Sequence, residues 1–215
     1  MARNPGLIYG RMTGWGQDGP MAQEVGHDLN YLALTGALYA IGRAGQAPAP
    51  PINLLGDFGG GTLYLVMGVL AALHERQRSG LGQVVDAAIV DGVASLMTQP
   101  QGSLAAGVIS TERGTNPTDS GAPFYDAYQC ADERWVSLAA VEKKFYAQAL
   151  GVLGLAELLP DQWKRETWPA AKERIAARFR SRSQAQWCEA FEGIEACFAP
   201  VLTLAEAPDH PHLKA

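Results

Sequence analysis

The chain has 215 residues, 47% of them hydrophobic and 18% charged, with a formal net charge of -5. That is a globular composition with length for one large or two modest domains, and the scattered 24 glycines and 13 prolines exclude collagen-like and low-complexity readings. The acidic balance offers no basic field to neutralise phosphates, so no nucleic-acid partner is expected. Cys130, Cys188 and Cys197 form no CxxC pair, so neither a disulfide framework nor a zinc site is suggested. Met1-Ala2-Arg3-Asn4-Pro5 is polar, with no apolar signal region behind it. The expectation is a reduced, cytoplasmic protein.

In chain order, Leu7-Ile8-Tyr9 reads as a short buried strand. It runs into the glycine-rich loop Thr13-Gly14-Trp15-Gly16-Gln17-Asp18-Gly19-Pro20. From Asp28 to about Ile41 the spacing of Leu29, Leu32, Leu34, Leu38 and Ile41 predicts a helix interrupted by glycine. A proline-rich loop, Ala47–Pro51, precedes Asn53-Leu54-Leu55-Gly56-Asp57-Phe58-Gly59-Gly60-Gly61. Gly61–Leu73 is the most apolar stretch and ends in His74-Glu75-Arg76-Gln77-Arg78, which predicts a buried helix with a wet end. No apolar run approaches the ~20 residues of a bilayer span, so none is expected.

Ser79-Gly80-Leu81-Gly82 stops that helix, Gln83–Ala88 is a strand candidate, and Asp91–Gln99 resembles another helix start. The alternation predicts an α/β layer for the first ~120 residues. Thr111–Pro123 has the composition of a linker or a long functional loop. Phe124–Cys130 and Trp135–Ala140 flank a polar turn at Asp132-Glu133, a hairpin signal. Helical patterns follow from Val141, around Ala171–Arg180 and around Gln184–Glu192. The reading is an α/β domain over 1–123, a smaller α+β domain over 124–205, and the start of a return linker over 206–215. The chain opens inside a strand and closes on His210-Pro211-His212-Leu213-Lys214-Ala215 without a terminal element, as the middle of a longer protein would.

Four histidines can be weighed singly. His74 sits among charges at a helix end and reads as solvated surface. His210 and His212 form a His-x-His pair that nothing nearby completes, so no metal site is expected. His27 stands in Gly26-His27-Asp28-Leu29-Asn30-Tyr31 at a predicted helix start; Asp28 can be a plain N-cap there, and His27 a satisfied polar neighbour. Asp57 has the same ambiguity. It can merely cap the long helix, or the glycines after it can bring a ligand close to backbone N–H donors. It opens no Walker loop, because the Lys-Ser/Thr ending is missing.

Taken together, the segments Gly26–Tyr31, Asn53–Gly61 and Gly82–Ala88 resemble the α-methylacyl-CoA racemases of the family III CoA-transferase superfamily. Arg11–Gln17 and Ala140–Phe145 fit the same family, and the similarity covers essentially the whole chain in order. The resemblance implies a family III CoA-transferase-like α/β fold: a partial Rossmann-like large domain, a small α+β domain, and an interlocked homodimer acting on acyl-CoA thioesters. It implies that His27 and Asp57 face the thioester α-carbon from opposite sides, and that Glu142 serves as the third acid, reaching His27 across the subunit interface. Gly59, Gly60 and Gly61 would let the backbone approach the thioester, with Tyr31 and Asn53 lining the pocket. No cofactor is implied, since CoA is part of the substrate, and lipid metabolism is the implied setting.

The chemistry needs such residues. Inversion by 1,1-proton transfer requires a base on one face and an acid on the other. The α-proton has a pKa on the order of 20 against ~6.5 for a free imidazole, a gap of about 18 kcal/mol. No plausible shift closes that, so the enolate oxygen must be met by preorganised donors worth ~3–4 kcal/mol each. The glycine-rich helix start at Asp57 is the candidate for that role. Two other readings stay open. The superfamily's transferases use an Asp nucleophile at the position of Asp28, usually after an aromatic residue where this chain has His27. A fragment lacking the family's outer segments would expose a sheet edge and be inactive.

Overall fold

A parallel pair of strands organises the first half of the chain. In the computed structural model, which describes residues 3–215, β1 (Tyr9–Thr13) pairs with β2 (Val84–Ala88) in a register running from Tyr9 opposite Val84 to Thr13 opposite Ala88. Parallel strands cannot be joined by a tight turn, so helices fill the connection. They are α1 (Asp28–Leu34), α2 (Ala37–Ala40), a π-helical run Leu54–Thr62 and α3 (Leu63–Ser79). After β2 come α4 (Ile89–Leu96) and α5 (Thr98–Ala105). Contacts divide the chain into two units, Met1–Arg113 and Gly114–Ala215.

Several expectations are corrected here. The first strand begins at Tyr9 rather than Leu7, and none of its residues is fully buried. At Gly10 a side chain would meet Leu65 and Val69 of α3. The glycine interruption read in the 28–41 helix is present, and it divides the segment into two helices. Thr35 turns its hydroxyl back onto the Tyr31 and Leu32 carbonyls at 3.2 and 3.0 Å, and Gly36 then takes φ +80°. Such a conformation suits glycine and ends α1.

The long apolar helix is also not the buried element expected. Only Ala72 of α3 is buried. Leu63, Val66, Met67 and Leu70, spaced as one helical stripe, are 49–65% exposed. The opposite flank packs on the strands, where a Cβ on Gly68 would lie 2.5 Å from Val85. Nor does the absence of a membrane-length run hold. Leu54–Ser79 is a continuous helical stretch of 26 residues, long and apolar enough by length and composition to cross a bilayer. Its segment Leu54–Leu73 carries a single charged residue, Asp57. The stop at Gly80 is as predicted: φ is +72° and its N–H reaches the Arg76 carbonyl at 2.8 Å.

The π-helical run crosses α4 at backbone contact. A Cβ on Gly92 would lie 1.8 Å from the Gly60 carbonyl oxygen, and one on Gly60 would lie 2.7 Å from Val93. Tyr31, Leu32, Ala37, Ile89 and Val93 form the core that this crossing closes.

The second unit is built around a three-stranded antiparallel sheet, β3 (Tyr125–Gln129), β4 (Trp135–Ala139) and β5 (Phe198–Val201), with β4 central. The β3–β4 hairpin follows the sequence reading; β5 was not foreseen. Helices α6 (Lys143–Leu153), α7 (Trp168–Phe179) and α8 (Gln184–Ala190) complete it. Its core is aromatic: Phe179 contacts the rings of Tyr128, Trp187, Phe191 and Phe198. The polar stretch after Arg113 is tied rather than loose. Asp119 accepts hydrogen bonds from the N–H groups of Gly114, Asn116 and Gly121 at 2.8–3.1 Å. Lys172 pairs with the buried Asp126 carboxylate at 2.6 Å. The tail, expected to lack an element, ends in α9 (Pro211–Lys214), with His210 accepting the His212 N–H at 3.3 Å.

Two tests follow from this packing. Gly92→Ala forces a methyl into the Gly60 carbonyl and should cost about 1–3 kcal/mol in urea unfolding. Gly102→Ala, in α5 with nothing within 4 Å of the added carbon, should be neutral or gain up to about 1 kcal/mol. Separately, Glu206 accepts from the Thr203 N–H and hydroxyl and from Arg134, which holds its carboxyl down to about 2. A depressed carboxyl contributes stability above its unfolded value of ~4.3 that is lost as pH falls through about 2. Carbon-detected NMR titration should show that low midpoint, rising towards the ordinary value in Arg134→Ala.

Candidate active site

The start of α1 brings His27 and Asp28 to the segment that carries Asp57. His27 is the extended N-cap residue, with φ -131° and ψ 174°. Its N–H donates to Asn30 Oδ1 at 3.0 Å, and its carbonyl accepts the Asn30 N–H at 2.8 Å. This reciprocal bonding fixes the turn while leaving the His27 side chain exposed. The next residue, Asp28, is turned inward and only 6% exposed.

Asp28 reaches across 29 residues to the π-helical run, where its Oδ2 accepts the backbone N–H of Asp57 at 2.8 Å. A carboxylate on an amide is a charge-assisted bond, worth about 1.5–3 kcal/mol. Gly56 makes it possible: a Cβ there would lie 2.4 Å from the same oxygen. The other carboxylate oxygen, Oδ1, is buried and has no hydrogen-bond partner among the described residues. On its far side, the Asp57 carbonyl accepts the Thr62 hydroxyl at 3.0 Å. His27 and Asp57 are therefore tied together through the residue next to His27.

The wide helix follows from local composition. Four of the nine residues in Leu54–Thr62 are glycine, the poorest non-proline helix former. The register is i to i+5: Phe58 N–H reaches the Asn53 carbonyl at 3.4 Å, and Leu63 N–H the Phe58 carbonyl. Single π turns recur at functional sites because they displace a side chain from α-helical register.

Tyr31 supports this corner from below. Its ring is buried edge-on to Trp15, with centroids 4.7 Å apart, and its hydroxyl donates to the Gly26 carbonyl at 2.5 Å. Burial, and secondarily the Asp57 charge, raise the Tyr31 hydroxyl above its ordinary value. The side chain thus acts as core, with its polar end occupied. Asn53 is exposed at the start of the π-helical run. Gly60 and Gly61 are buried against α4 and β1, where Val93, Ile89 and Met12 would collide with any Cβ, so their smallness is used by packing rather than left open to a ligand. Gly59 is half-buried beside Leu96. Of the glycine-rich helix start read as the enolate donor, the first N–H, that of Asp57, is taken by Asp28.

Glu142 belongs to the second unit, exposed as the N-cap residue of α6. Its carbonyl accepts the Phe145 and Tyr146 N–H groups, both at 3.0 Å. Its carboxylate, after burial, helps to push the Cys197 thiol up. Sequence reading missed Gly56 and Thr62. The i to i+5 spacing of Asp57 and Thr62 falls outside the helical rules that would have paired them.

This chain belongs to CoA-transferase family III, whose model it matches over residues 1–215. It is 47% identical over 210 residues to alpha-methylacyl-CoA racemase of Mus musculus, covering 97% of this chain and 55% of that protein. With the Homo sapiens alpha-methylacyl-CoA racemase it shares 43% over 212 residues, 98% of this chain and 56% of that one. The chain spans about half the length of the curated relatives it matches. A crystal structure of a CAIB/BAIF family protein from Brucella suis superimposes with a TM-score of 0.75 over 99% of this chain and 57% of that chain; at 24% identity the likeness is one of fold.

The support beneath the site can be tested by unfolding. Tyr31→Phe leaves the Gly26 carbonyl without its donor and should cost about 1 kcal/mol. Gly14→Ala drives a methyl to 2.1 Å from the Tyr31 hydroxyl oxygen and should cost more, about 1–3 kcal/mol. The reverse order would contradict this packing.

Proposed function

We propose that the protein interconverts (2R)- and (2S)-2-methylacyl-CoA thioesters by 1,1-proton transfer through an enolate. His27 and Asp57 are the two proton-transfer groups. The observation that carries this reading is the Asp28–Asp57 hydrogen bond, which joins the residue after the exposed His27 to the backbone of the half-buried Asp57. Identity to the two racemases supports it over the same residues.

The steps are few. One isomer presents its α-proton to His27, which takes it as base; Asp57, carrying a proton, returns one to the opposite face. The reverse direction exchanges the roles. The enolate oxygen requires a donor other than the Asp57 N–H, which is already engaged. Base, acid and donor suffice, and CoA enters as part of the substrate. Glu142, contributed by the second subunit of an interlocked homodimer, orients or charges His27 in this reading. A cytoplasmic enzyme of fatty-acid metabolism is the setting we propose.

The family also holds transferases, whose Asp nucleophile corresponds to Asp28. Here one oxygen of that carboxylate is hydrogen-bonded and the other has no accessible surface, which disfavours attack on an acyl group.

Proton NMR of a 2-methylacyl-CoA in D2O with the purified protein tests the proposal. We expect loss of the α-proton signal together with loss of stereochemical purity. Racemisation should fall by about 100-fold or more in His27→Ala, as removal of a general acid–base group does. Undiminished racemisation in that variant, or a hydroxylamine-trappable acyl group on Asp28, would overturn it.

A further inference from the structure

The backbone of Asp57 is held at both ends by side chains: Asp28 takes its N–H at 2.8 Å and Thr62 gives a hydroxyl to its carbonyl at 3.0 Å. Neither bond belongs to the helix ladder. The first spans 29 residues and is enclosed, since Asp28 is 6% exposed and Gly56 leaves no room for a Cβ beside it. A π-helical run with four glycines has little stiffness of its own, so the direction of Asp57 must come from side-chain bonds rather than from the helix ladder.

We propose that Asp28 and Thr62 are positioning residues that clamp the Asp57 backbone so that its carboxyl meets the substrate α-carbon opposite His27. The inference rests on the racemase reading and adds a role that neither residue would have as nucleophile or cap. A carboxyl displaced by about 1 Å loses on the order of 100-fold in rate. His27 is held separately, by its reciprocal bonds with Asn30, so losing the clamp should injure one face of the site and spare the other.

Stereochemically resolved exchange in D2O separates the faces. An isomer whose α-proton faces His27 can lose it, have it replaced by deuterium on the imidazole, and regain deuterium on the same face: exchange with retention. Inversion of that isomer needs Asp57. Asp57→Asn identifies it as the isomer that still exchanges. On this isomer, Asp28→Ala and Thr62→Val should each raise the ratio of exchange to inversion by about 10-fold or more. Asp28→Asn and Thr62→Ser, which keep an acceptor and a donor, should restore most of the wild-type ratio. The other isomer should lose exchange and inversion together. If Asp28→Ala does not fold, Thr62→Val carries the same test. A ratio unchanged from wild type in the folded variants, whether rates fall in parallel or not at all, overturns the clamp. Wild-type protein that exchanges neither isomer overturns the racemase reading itself, a distinct result.

Discussion

A single hydrogen bond, from the Asp57 N–H to the buried Asp28 carboxylate, determines what this region can do. It joins the start of a short helix to the first turns of a π-helical run and so makes one corner of two segments far apart in sequence. Its demands radiate outward. Gly56 must lack a side chain to admit the carboxylate, and Asp28 must be buried to keep water from competing for the amide. An Oδ1 without a hydrogen-bond partner among the described residues is the cost of that burial. Such costs concentrate at functional sites, where local stability is traded for geometry.

The two units meet their requirements differently. The second has a dense aromatic core around Phe179, into which loops are tied by Asp119 and Lys172. The first has a smaller core and relies on close approach at glycines, with the backbone of Gly92 against that of Gly60 and Gly68 against the Val85 side chain. Close approach of this kind allows no side-chain adjustment. It holds the π-helical run at a fixed place beside α4, on which the placement of Asp57 depends.

What the sequence made legible follows physical locality. The β3–β4 hairpin was readable because its apolar runs and polar turn are contiguous, whereas β5 is four residues long and contains Pro200, which argues against a strand except at an edge. There it lies. The break between α1 and α2 turns on Gly36, a residue that composition alone leaves ambiguous between tolerated and terminating. Apolar content marked α3 as a helix but could not say which flank its neighbours cover. At the site, residue types at His27 and Asp57 pointed to proton transfer once the family resemblance was seen. The use of Asp28 was not readable, because its partner is a backbone group 29 residues away and amides leave no trace in residue identity. The glycines after Asp57 suggested an open cradle; two of them are instead required by α4.

The central claim is that His27 and Asp57 act on one carbon from opposite faces, held by the Asp28 bond. A crystal structure of the purified protein with a 2-methylacyl-CoA bound tests it most directly. The account predicts the α-carbon between the His27 imidazole and the Asp57 carboxyl, each within about 3.5 Å, with the Asp28–Asp57 bond intact. A thioester carbonyl seated against the Asp28 carboxylate, with that bond broken, would contradict it.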